Sequence, residues 1–176
     1  PGTNVAVLNM MLYFIVKSKL YKEDFILSRT EGFENFLKNI EKLDIDHLAK
    51  AAGVDKQQVK EAAIAYATAK NSMEFHGLGV TEQEQGSKTV MLIADLAMIT
   101  GNIGRKGVGV NPLRGQNNVQ GAADMGCQPH QGAGYFPVAD KKIQDFYTEK
   151  YGVVHPTKAG LKIPEIFDAA INKEVK

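Results

Sequence analysis

Ser72-Met-Glu-Phe-His-Gly-Leu-Gly-Val80, with Thr81 behind it, is the stretch on which the fold class turns. Met73, Phe75 and Gly77 alternate with Glu74, His76 and Leu78, which is the period of a strand. A glycine turn follows, then a helix that is apolar on almost every side between Val90 and Ile99. Strand, glycine turn and buried helix make one half of an α/β unit, in which ligands sit at the carboxyl end of the strand. The pair Gly77-x-Gly79 is weak by itself, because a dinucleotide fingerprint wants a third glycine where this chain has Glu82. The fold class expected is α/β, predominantly helical, with few strands.

Upstream of the strand the chain reads as helices. Thr3 or Asn4 is placed to cap a helix whose first turn is Val5 to Leu8 and which runs to Lys17, apolar nearly all round. Asp24 to Arg29 is short and ambiguous. Gly32 breaks the chain before an amphipathic helix with Phe33, Phe36, Leu37 and Ile40 at helical spacing, read as core. A helix pair follows, with Gly53 stopping the first member and Asp55 with Gln58 forming a capping box for the second. The skeleton of that pair also matches a DNA-binding helix-turn-helix. Its second helix mixes Lys56 and Lys60 with Asp55 and Glu61 and offers only Gln57 and Gln58 to read bases, so a packed hairpin is the better reading.

Downstream, Gly101 to Gly134 reads as a long irregular connection with one helical turn near Gln120 to Met125, and such a loop in a compact domain usually means function. Its centre, Asn111 to Gly126, holds Arg114, the amides Gln116, Asn117, Asn118 and Gln120, and three glycines, with few bulky apolar groups. The amides each carry a donor pair and an acceptor, and the arginine offers a planar fork for a carboxylate or phosphate. Such a set suits a polar heterocycle or a small anion. Lys141 to Tyr151 and Ile163 to Lys173 read as surface helices, the second with Pro164 in its first turn and Ile163, Ile166, Phe167 and Ala170 facing inward.

Composition narrows the function classes. With 44% hydrophobic residues in 176 the chain can bury a core, and a net charge of +1 gives no bulk attraction to nucleic acid or an anionic membrane. The longest apolar run, Val5 to Val16, is broken by Asn9 and falls short of the roughly 18 residues of a membrane helix, so no direct membrane insertion is expected. One cysteine excludes an intrachain disulfide framework and fits a reduced, cytoplasmic setting. Cys127 and His130 have ligand-like spacing but supply two of the about four ligands a zinc site needs, so no metal ligand is assigned. Asp95 lies within the apolar helix and is read as a satisfied structural acid. The chain opens on Pro1 rather than Met and closes on Lys176 without a final element, as a piece of a longer polypeptide would.

Several motifs in order carry a family resemblance: Pro1-Gly-Thr-Asn, Tyr21-x-x-x-Phe-Ile, Arg29-Thr-Glu-Gly-Phe, Gly77-Leu-Gly-Val-Thr, Thr100-Gly-Asn-Ile-Gly, and Gly109-Val-Asn-Pro-Leu-Arg-Gly-Gln-Asn-Asn through Gly126. From residue 1 to about 135 the chain resembles the catalytic subunit of molybdenum- or tungsten-dependent formate dehydrogenases. The resemblance implies part of an α/β/α layered molybdopterin oxidoreductase domain that oxidises formate to carbon dioxide. It further implies a bis-molybdopterin guanine dinucleotide carrying Mo or W, and a 4Fe-4S cluster in an N-terminal part outside this chain. Arg114 inherits the place beside the metal that holds formate, and Gln116, with Asn117 next to it, a pterin contact. Gly77, Leu78, Gly79, Thr81 and Glu82 correspond to a second cofactor-binding segment, Glu82 replacing the glutamine expected there. Related nitrate reductases tend to carry Thr-Gly-Gln-Pro where this chain has Arg114-Gly-Gln-Asn, which favours formate.

The cysteine or selenocysteine metal ligand of that family lies upstream of this sequence, and Cys127 falls where an alanine is usual. The polypeptide alone is therefore expected to be inactive and to work with the remainder of the catalytic subunit and with electron-transfer subunits. Residues 1–110 are expected to be part of an α/β cofactor-binding domain, 111–135 a cofactor and substrate loop, and 136–176 the helical start of the next domain. The alternatives are a non-catalytic scaffold or electron-transfer member of the same superfamily, against which Arg114 and the intact amide run argue, and the helix-turn-helix DNA binder.

Overall fold

In the computed structural model, which describes residues 1–175, helix α1 (Asn4–Lys17) is the centre of the first half of the chain. A helix apolar on most sides must be surrounded. Met10, Leu12 and Ile15 are fully buried, each such burial contributing roughly 1.5–3 kcal/mol. The neighbours include α3 (Phe33–Ile40), α4 (Ile45–Ala52), α5 (Lys56–Thr68) and α7 (Gly86–Ile99), and α2 (Glu23–Arg29) packs on α7. The ambiguous stretch before Arg29 is thus helical. Phe33, Phe36 and Leu37 pack on the core as their spacing requires, with Tyr21 edge-on to Phe33 at 5.3 Å between ring centroids.

The caps are partly as expected. Gly53 ends α4 at φ 67°, and Asp55 Oδ1 accepts the Gln58 amide at 2.9 Å, without the reciprocal side-chain bond of a full box. Thr3 makes no side-chain cap; its carbonyl alone receives the amides of Ala6 and Val7. In α5 the buried face, Val59, Ala63 and Ala67, lies on α1, and Gln57 is tied to Glu61 at 2.9 Å. Packing therefore accounts for the hairpin skeleton.

Strand β1 (Met73–His76) pairs in parallel with β2 (Gly109–Pro112), from Met73↔Gly109 to His76↔Pro112, and α7 lies between them in the chain. Two expectations need correction. The strand stops at His76 rather than Val80, because Gly77 turns the chain and its carbonyl accepts the amides of Val80 and Thr81, winding α6 (Leu78–Thr81). The connection after α7 contains a strand, which the glycine and proline at its ends concealed. Thr100-Gly-Asn does more than stop α7. Asn102, 2% exposed, accepts from the Ser72 amide at 3.3 Å and from Arg105 at 2.9 Å, and donates to the Thr100 hydroxyl at 3.0 Å. A buried amide with its hydrogen bonds made ties the end of α7 to the start of β1.

Contacts divide the chain into two units, Pro1–Leu113 and Arg114–Lys176. The second contains α8 (Val119–Asp124), a 3-10 turn at Ala133–Tyr135, α9 (Lys141–Tyr151) and α10 (Ile163–Ile171). The helical turn near Gln120 and both surface helices lie where the sequence places them. Buried Tyr147 of α9 donates to the Ala133 carbonyl, and Gln144 to that of Val138 at 2.9 Å. The inward face expected of α10 is corrected: Ile163 and Phe167 are 72% and 67% exposed, Ile166 and Ala170 are exposed too, and Ala169 is the buried residue. Periodicity defines an apolar face; it does not supply the surface that covers it.

Candidate functional site

The first cluster lies at the carboxyl end of β1. The Leu113 amide donates to the His76 carbonyl at 2.7 Å, continuing the ladder one residue past Pro112. Gly77 is extended there, and a Cβ on it would lie 3.6 Å from the Leu113 carbonyl. Gly79 has nothing within 4 Å of the place a Cβ would take. The Leu78 and Gly79 amides, in the first turn of α6, have no backbone acceptor among the described residues, as helix geometry leaves them. The Thr81 hydroxyl reaches back to the Gly77 carbonyl at 3.5 Å, while the Glu82 side chain is exposed. The turn thus presents backbone donors beside Gly77 and Gly79, which carry no side chain, and this suits a polar ligand that must come close.

Gly86, unremarked in the sequence, makes this turn possible. A Cβ there would stand 2.2 Å from the Thr81 carbonyl oxygen, so only glycine lets α7 start against α6. Behind the turn, Tyr66 donates its hydroxyl to Glu74 Oε1. Burial raises the Glu74 carboxyl above its usual range, and the Tyr66 hydrogen bond opposes the shift. Tyr66 is itself raised, by burial first and then by Glu74. Glu74 Oε2 and His76 Nδ1 are buried without a partner among the described residues. Both residues line an apolar cleft of about 420 Å³ with α1 and α7. Asp95 is half-buried, and burial alone raises its carboxyl.

The second cluster belongs to the second unit. Arg114, Gln116 and Asn117 are exposed, and among the described residues Arg114 forms no ion pair. Asn118, at φ 53°, starts α8, and Gly121 leaves room for its amide, since a Cβ there would lie 2.4 Å from Asn118 Oδ1. Tyr135 donates to Asp124 Oδ1 at 2.6 Å, and Gln120 donates to the same oxygen at 3.0 Å. These bonds, Tyr135 first, hold the Asp124 carboxyl below its usual range; Asp124 in turn raises Tyr135, against which the positive charge of Arg114 acts. Cys127 is an exposed free thiol, and no group of three or more His, Cys, Asp or Glu gathers for a metal among the described residues. Sequence reading identified the exposed amides and Arg114 but missed Tyr135, whose partner lies eleven residues away.

The sequence profile of Molybdopterin oxidoreductase matches residues 1–167. The chain is 43% identical over its full length to the F420-dependent formate dehydrogenase subunit alpha of Methanocaldococcus jannaschii, covering 26% of that protein. It is 41% identical, over 99% of its length, to Formate dehydrogenase H of Escherichia coli, covering 25% of that protein. It therefore spans about a quarter of the length of the curated relatives it matches. In fold it resembles Acetylene Hydratase from Pelobacter acetylenicus, with a TM-score of 0.55 and 23% identity over 60% of this chain and 15% of the other. With a family profile covering nearly the whole sequence, the chain belongs to the molybdopterin oxidoreductase family.

Proposed function

We propose that the chain is a segment of a formate dehydrogenase catalytic subunit, in which Arg114 binds formate while Gln116, Asn117 and the turn Gly77, Leu78, Gly79, Thr81 and Glu82 hold a bis-molybdopterin guanine dinucleotide carrying Mo or W. The observation that carries this reading is the state of Arg114: it is exposed in a glycine- and amide-rich loop and has no ion-pair partner among the described residues. Relatives over 40% identical along the same stretch are named formate dehydrogenases. A guanidinium fork matches a one-carbon carboxylate bidentately and stays charged at any working pH.

The donor set fits the cofactor. The free amides of Leu78 and Gly79 suit phosphate or carbonyl oxygens, and the uncommitted amides of Gln116 and Asn117 pair with the mixed donor and acceptor edge of a pterin. Such a group, when bound, would supply the two-electron acceptor that oxidation of formate to carbon dioxide and a proton requires. This chain's own part would be to bind and orient the carboxylate of formate through Arg114. The metal ligand, a 4Fe-4S cluster, electron-transfer subunits and a cytoplasmic setting belong to the same proposal and lie outside these residues. No described helix is long and apolar enough to cross a membrane.

The test is Arg114→Lys in the full-length catalytic subunit. Lysine keeps the charge and loses the fork, so KM for formate should rise and kcat fall, each by about tenfold for a lost charged hydrogen bond. Steady-state kinetics indistinguishable from the parent enzyme would remove Arg114 from the substrate.

A further inference from the structure

The loop that carries Arg114 and Gln116 runs into α8, and one phenol holds α8 to the turn that follows it. Tyr135 sits at φ 65°, a left-handed conformation that bulky residues avoid. Strain of this kind persists only where the surroundings over-determine it. They do so here. The Tyr135 hydroxyl donates to Asp124 Oδ1 at 2.6 Å, and Gln120 Nε2 lies 2.6 Å from the Tyr135 oxygen and 3.0 Å from the same carboxylate oxygen. Gly126, at φ 83°, brings the chain after α8 so near the turn that a Cβ would stand 2.5 Å from the Ala133 nitrogen. From the other side Tyr147 donates to the Ala133 carbonyl.

We propose that Tyr135 is a positioning residue whose hydroxyl, bound to Asp124, latches α8 to the 3-10 turn and thereby holds Arg114 in the conformation that receives its anionic ligand. This rests on the role given to Arg114 above. The latch has a second effect. Asp124 is the single acid between Asn111 and Gly126, and the nearest in sequence for the guanidinium to fold back on. With its carboxylate occupied by Tyr135 and Gln120, Arg114 stays open. The same hydrogen bonds keep Asp124 ionised well into acid, so the latch does not change with pH near neutrality.

The experiment is Tyr135→Phe in the full-length catalytic subunit. The side chain is 40% exposed, so the ring fits without repacking. Losing a hydrogen bond worth about 1 kcal/mol should raise KM for formate about fivefold, leave kcat within about twofold, and speed amide exchange in residues 119–126 by about the same fivefold. Asp124→Asn keeps an acceptor for the Tyr135 hydroxyl and should retain the parent exchange rate, whereas Asp124→Ala should not. Unchanged exchange in Tyr135→Phe overturns the latch, and faster exchange with an unchanged KM overturns its action on Arg114. If Arg114 does not hold formate, Arg114→Lys will leave KM for formate unaltered, while the exchange measurement still decides the latch.

Discussion

Glu74 is an acid whose surroundings argue against its charge. Burial raises its carboxyl above the ordinary 4.5, and the Tyr66 hydroxyl offsets this only in part. The folded chain thus binds the proton more tightly than the unfolded chain does. The resulting stabilisation is complete below the ordinary value and is lost as pH rises through the raised folded value. At neutral pH the buried charge is a liability, so Glu74→Gln, which still accepts from Tyr66, should raise the melting temperature at pH 7 and lose that advantage below pH 4. Equal shifts in thermal melts at both pH values would contradict this account. Such effects are only half legible in a sequence. Arg114, Gln116 and Asn117 stand out because a run with few bulky apolar side chains has little core to join. Nothing in residue order singles out Tyr135, because neither its backbone angle nor its bond to Asp124 leaves a trace there.

Elements are legible where period and punctuation agree. The buried α1, the pair α4–α5 parted by Gly53, and α9 all follow from spacing and stop signals. β2 does not, because Gly109 and Pro112 frame four residues that lack the strand period. The junction of α6 and α7 is equally silent, since its cause is a distance. Alanine is preferred over glycine inside a helix by up to about 1 kcal/mol, and Gly86→Ala should gain from that. A Cβ 2.2 Å from the Thr81 carbonyl meets backbone that cannot swing aside, and such overpacking costs about 1–3 kcal/mol. The clash wins: the substitution should lower the melting temperature by several degrees, at about 2–4 °C per kcal/mol. A neutral or stabilising result would mean that α6 yields freely.

For the whole molecule the fold class was readable, an α/β chain with few strands, because one strand, one glycine turn and one apolar helix sufficed. The destination of every apolar face was not. Ile163 and Phe167 of α10 are largely exposed, and a surface of this kind marks an interaction site or an aggregation liability. Replacing both with lysine should leave the melting temperature of the 176-residue chain nearly unchanged and reduce its self-association in sedimentation. A large loss of stability would mean that these side chains are buried in solution.

The buried amide of Asn102 has a consequence for how the chain tolerates changes of length. It fixes where β1 begins from thirty residues downstream, by accepting the Ser72 amide, while the Leu113 amide fixes the far end on His76. The pairing of the two strands is therefore set by anchors at both ends, not by the number of residues between them. A change of length between the two strands, placed away from the tight junction of α6 and α7, should still leave Met73 facing Gly109.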